Sequence, residues 1–241
     1  MDQLRRIPGL WLHALVVLLL TAFGIWAIQI ESDFSFYWRD PAAIVETSPW
    51  IGLFSNIGNF IWWIASITAL FTAGLLYRVP GYRRESMFLL SWGILTAFLA
   101  LDDFFMFHEW VVPTYLPVSE DALVGVYFVI ALGLLIIFRD ELRRTPFLLF
   151  FFALTCFAGS IIIDVIGPAR FQDWGLSVRY VWNLEYIVED GLKLTGIIAW
   201  AHYFVLTTTG YLRPFLKPES LELSAETNAL PKKRSKRSNV R

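Results

Sequence analysis

Apolar residues along this chain fall into six long blocks, close to residues 10–30, 50–76, 87–107, 122–138, 146–166 and 186–206, parted by short polar segments. A helix rises about 1.5 Å per residue, so about 20 apolar residues cross a hydrocarbon core of about 30 Å. Five blocks meet that length, and the fourth is short but bracketed by Asp121 and Arg139. The pattern predicts an all-α, polytopic membrane protein with a six-transmembrane-helix bundle over residues 1–213. A polar segment, 214–241, is expected to be a disordered basic cytoplasmic tail.

Sign segregation sets the expected orientation. Sixteen of the 20 Lys and Arg residues lie before the first block, in the second and fourth connections, or after the sixth block. The opposite side has only Arg39, Arg170 and Arg179, while Lys193 lies within a block. The excess of Lys and Arg marks cytoplasmic segments, which predicts that both termini face the cytoplasm. Trp50, Trp110, Trp174 and Trp182 then fall near the outer interface.

Composition agrees with a membrane setting. Hydrophobic residues make up 56% and charged residues 17%, against about 25% charged in soluble domains. The expected location is an integral, multi-pass position in a bacterial cytoplasmic (inner) membrane. Cys156 is the single cysteine, which rules out an intrachain disulfide and any cysteine-built metal site. The expected partners are the lipid bilayer, anionic lipid at the basic tail, and a lipid or small-molecule substrate; nucleic acid is not expected.

The chemistry concentrates in two stretches that break the apolar pattern: Leu101-Asp102-Asp103-Phe104-Phe105-Met106-Phe107-His108-Glu109 and Glu185-Tyr186-Ile187-Val188-Glu189-Asp190-Gly191-Leu192-Lys193. A charge within hydrocarbon costs roughly 2.5–3.5 kcal/mol on insertion scales and is usually retained for function. Helical rise sets Asp102 and Asp103 about 23–24 Å along the third block, just beneath the outer boundary. Asp164, Glu185 and Glu189 reach the same level from the fifth and sixth blocks, and Glu185, Glu189 and Lys193 share one helical stripe. The third block and the sixth are therefore expected to press their acidic faces together. A regular helix turns His108 away from them, so it can join only through an unwinding caused by Trp110–Pro113.

Seven acids face few bases in this layer, so either several hold protons or a cation is bound. Carboxylates with one imidazole suit a divalent metal ion, with Asp102, Asp103, Glu109, Asp164, Glu185 and Glu189 as candidate ligands. Asp102, His108 and Lys193 are the candidate catalytic groups. These residues point to a metal-dependent intramembrane hydrolase acting on a lipid-like substrate, since a bound ion activates water. Two alternatives stand beside it: a proton- or cation-coupled transporter, and a non-catalytic structural or assembly protein held by buried ion pairs. Whether the chain is an enzyme is left open.

Overall fold

The computed structural model describes residues 10–29, 41–172 and 178–216, with side chains described within 15–26, 41–164 and 187–216. Among these residues every regular element is helical. In chain order they are α1 (Leu10–Gln29), α2 (Pro41–Ile44), α3 (Leu53–Tyr77), α4 (Arg83–Phe105), a π-helical turn (Phe107–Val111), α5 (Val112–Tyr115), α6 (Glu120–Ile137), α7 (Arg139–Arg143), α8 (Phe147–Gln172), α9 (Val178–Leu212) and a closing 3₁₀ turn (Arg213–Phe215).

The chain divides into two units, residues 1–53 and 54–241. The first holds α1 and α2. All the contacts described below belong to the second.

Among the described residues, four helices are long and apolar enough to cross a membrane: Leu53–Tyr77, Arg83–Phe105, Glu120–Ile137 and Phe147–Asp164, the last being the leading part of α8. Each corresponds to one of the predicted blocks. The first block is also helical, but its apolar part among the described side chains is the shorter Leu15–Trp26. The sixth lies inside the 35-residue α9. Most of the disordered-tail expectation, from residue 217 onward, lies outside the described residues.

A polar ladder joins α3 to α4. Asn59 Nδ2 donates to the Ala100 carbonyl at 3.2 Å, Ser66 Oγ to the Gly93 carbonyl at 2.9 Å, and Ser86 Oγ to the Ala73 carbonyl at 2.8 Å. Successive rungs are seven residues apart on both helices, the repeat that keeps one seam facing its neighbour over two turns. Small residues permit the close approach. A Cβ on Gly93 would lie 2.8 Å from Leu70 Cδ2, and Ala65, Ala69 and Ala73 are buried along the same seam. Without water as a competing partner, side-chain bonds and close packing are what hold such helices together.

Beside this seam lies an aromatic core. Trp92, Phe150 and Trp200 are each almost fully buried and meet pairwise at ring-centroid separations of 4.8–5.6 Å. Trp200 Nε1 donates to Thr96 Oγ1 at 3.0 Å, and Thr96 Oγ1 donates to the Trp92 carbonyl. The indole thus contributes area while its polar atom is satisfied. This joins α4, α8 and α9 and leaves the two ends of the unit to carry charge.

Candidate functional site

The acid-bearing end of α4 does not continue as a regular helix. Met106 takes φ +53°, a left-handed conformation rare for a side chain other than glycine, and its N–H bonds back to the Asp102 carbonyl. The chain then enters the π-helical turn at Phe107. This reversal swings His108 back over α4. Asp102, 4% exposed, accepts the His108 backbone N–H at 2.9 Å on Oδ1 and meets His108 Nδ1 at 2.5 Å on Oδ2. Tyr127 of α6 donates its hydroxyl to the same Oδ1 at 3.1 Å. The carboxylate therefore serves at once as acceptor for the start of the turn and as partner of the imidazole.

His108 thus joins the site through a break at Met106, four residues before Trp110. Pro113 sits without disruption in the first turn of α5, where its missing N–H costs nothing. The hydrogen bond that Asp102 accepts from the ring raises the His108 pKa above 6.5. Burial opposes that rise, and the Asp102 and Glu109 charges reinforce it. The other ring nitrogen, Nε2, lies 3.6 Å from Glu109 Oε1, on a side chain 48% exposed.

Asp103, one residue on and facing a different neighbour, forms an ion pair with Lys193 of α9 at 2.5 Å. Here α4 and α9 meet through charge, at Asp103 and Lys193. Beside the pair is a cavity of about 60 Å³ lined by Ser55, Gly58, Asp103, Asp190 and Lys193, with Phe54, Leu194 and Ile197 completing the wall. A water molecule needs roughly 10–15 Å³ of such space. That volume has room for a few waters or one small ion.

The remaining candidates are Asp164, Glu189 and Glu185. Asp164 is exposed, and Glu189 is partly buried and engaged in an interaction of its own. Glu185 lies in α9, with its side chain outside the described residues. Among the described residues, no three His, Cys, Asp or Glu side chains form a group able to hold a metal ion. The acid layer resolves into two neighbouring pairs, Asp102–His108 and Asp103–Lys193, with Asp190 and Glu109 at their edges. Tyr127 escaped the sequence reading because a lone tyrosine in an apolar block has no periodic signal.

A protein-family model described as a domain of unknown function (DUF8692) matches residues 10–207. No curated protein and no solved structure matches the chain.

Proposed function

We propose that this chain, which belongs to the DUF8692 family, is a membrane protein that couples transport to the movement of a proton or small monovalent cation. The observation that supports this most directly is the Asp103–Lys193 pair beside a water-sized cavity. Asp103 and Asp190 carry two negative charges there against one ammonium. A small cation entering the cavity competes with Lys193 for these carboxylates. The pair also joins α4 to α9 and lies against the Ser55–Gly58 turn of α3, so its exchange changes contacts among three helices. Intramembrane carboxylate–lysine sets of this kind suit ion relays.

The adjoining Asp102–His108 pair fits the same reading. It leads from the exposed Glu109 carboxylate through an imidazole to a buried carboxylate, an entry route for protons. The finer topology belongs to this proposal: six crossings, both termini cytoplasmic by the Lys and Arg bias, and the acidic cluster outward. A basic tail lying on anionic lipid completes it.

Hydrolysis of a lipid-like substrate, with or without a divalent metal ion, ranks second. Its support is that a histidine held by a buried carboxylate is the arrangement of a general base. Against it, the hydrogen bond to Asp102 raises the His108 pKa, which disfavours the neutral, proton-accepting ring a general base needs. A structural role held by the same two ion pairs is the third reading.

The test is flux in proteoliposomes carrying a lumenal pH dye, with H⁺, Na⁺ or K⁺ gradients and an imposed potential. Cation-driven flux is expected above that of empty vesicles, and Lys193→Gln and Asp103→Asn should each abolish it. Flux equal to empty vesicles for all three ions refutes transport.

A further inference from the structure

Where the first turn of α4 meets α7, two guanidinium groups are fixed on one buried carboxylate, in a cluster that the transport reading does not use. Glu141 of α7 is 1% exposed. Its Oε1 forms ion pairs with Arg84 Nε at 3.1 Å and Arg144 Nη1 at 3.5 Å. Both arginines thus lean on a single oxygen, and their two nitrogens are separated by no more than the sum of those contacts. Arg84 is held at a second point, because its Nη2 donates to the Ile137 carbonyl at 3.3 Å, at the end of α6. The pair is therefore positioned by three helices before any ligand arrives.

The acid is hidden while its partners are shown. The two guanidinium-bearing side chains are 56% and 68% exposed. Each guanidinium carries five N–H donors in a rigid fork. Among the described residues, Arg84 Nη1 and the Nε and Nη2 of Arg144 have no partner. Charge favours an anion here: the first turn of α4 and residues 139–144 carry five basic side chains against three acids, Glu85, Asp140 and Glu141. All five are arginine, the side chain whose fork matches phosphate geometry. A phosphate accepts from such groups at about 2.7–2.9 Å on each of its oxygens, which lets one phosphate bridge both arginines.

Apolar surface flanks the pair. Ile136 and Ile137 close α6, Phe147 and Leu148 open α8, and all four are exposed. Ile137 is also the residue whose carbonyl Arg84 grips, so the guanidinium abuts this surface. A free anion matches only the charged half of the arrangement, whereas a phosphate carrying acyl chains matches both halves. We propose that Arg84 and Arg144, aligned by Glu141, bind the phosphodiester of an anionic phospholipid, with its acyl chains against Ile136, Ile137 and Leu148. This site is separate from the Asp103–Lys193 cavity and does not depend on its role. It is separate also from the basic tail beyond residue 216.

The test is titration of the full-length protein in maltoside micelles with phosphatidylglycerol carrying pyrene on one acyl chain, read by energy transfer from tryptophan. Pyrene-labelled phosphatidylcholine is the reference, and the anionic probe should bind about tenfold more tightly. Diffuse attraction depends on charge alone, about fivefold per unit charge. Glu141→Gln adds one positive charge to this end, so diffuse attraction would tighten binding. Loss of the carboxylate that aligns the arginines should instead weaken it, by about three- to tenfold. Arg84→Lys keeps the charge and removes the fork, and should weaken binding by a similar factor. Affinity that is not weakened in Glu141→Gln or in Arg84→Lys overturns the proposal, as does equal binding of the two probes. If Glu141→Gln does not fold, Arg144→Lys replaces it, and unchanged affinity there overturns the site. Displacement of the anionic probe by inorganic phosphate, beyond that by sodium chloride at equal ionic strength, would assign the pair to a soluble anion and overturn the lipid. The basic tail is present in every variant, so its own attraction for the probe cancels from the comparison.

Discussion

Removing the Asp102 carboxylate tests the geometry of the acid-bearing end most directly. In Asp102→Ala, three donors lose their acceptor: the His108 N–H, the His108 ring and the Tyr127 hydroxyl. A hydrogen bond to a charged group contributes about 1.5–3 kcal/mol, which would set an upper limit near 4.5–9 kcal/mol for three. Two of the donors can recover water, since the imidazole is 19% exposed and Tyr127 only partly buried. The backbone N–H at the start of the turn cannot move away. Breaking a buried ion pair from one side costs about 3–5 kcal/mol, so about 3–4 kcal/mol is expected. Asp102→Asn keeps an acceptor for the N–H and the tyrosine and should cost about 1–2 kcal/mol, because it loses the charge but not the cap. The assay is unfolding by dodecyl sulfate in mixed micelles, followed by circular dichroism. Asp164→Ala serves as the control, an exposed acid expected to shift stability by no more than about 0.5 kcal/mol. An Asp102→Ala loss within about 1 kcal/mol of that control would refute the carboxylate's role in holding the turn.

Three further outcomes follow from the same structure. His108 has a folded-state pKa above 6.5, so its pairing contributes fully below 6.5 and is lost as pH rises through the raised value. Unfolding midpoints should therefore fall with rising pH over that window in the wild type and flatten in His108→Gln; equal slopes in the two proteins would contradict the pairing. Gly196→Ala would place a Cβ 2.6 Å from Phe157 Cε1 and 3.2 Å from the Ala153 carbonyl, against a ring already stacked on Trp62. Overpacking of about 1–3 kcal/mol should exceed the helix-propensity gain of about 1 kcal/mol, whereas Gly74→Ala meets nothing within 4 Å and should be neutral or stabilising in the same unfolding titration. Trp200→Phe removes the donor to Thr96 and part of the buried ring, and should cost about 1–3 kcal/mol by the same measurement, a cavity-type loss.

The helical architecture was legible because blocks of apolar residues long enough to span hydrocarbon have few alternatives to helix. The importance of Asp102 and Asp103 was legible for the same reason: acids at that depth stand out. Their partners were not. Treating the chain from Met87 to Glu109 as one regular helix put Asp102 and Glu109 on one face and His108 elsewhere, and a single left-handed residue at Met106 undoes that register. Periodicity has no term for such a break, since methionine carries no turn signal of the kind glycine or asparagine would. The Asp103–Lys193 pair was missed because helical phase gives directions around each helix but not which face meets which neighbour. Glu141 was hidden by its company: between Arg139 and Arg143 it reads as one more solvated loop charge, although its side chain is among the most buried of the described residues.

The left-handed residue at Met106 also makes the acid-bearing end self-contained. The segment from Phe107 to Val111 caps the carboxylate that holds it, while the Asn59, Ser66 and Ser86 bonds lie further along α4. The packing of α3 on α4 is therefore built from hydrogen bonds in which the Asp102 cluster takes no part.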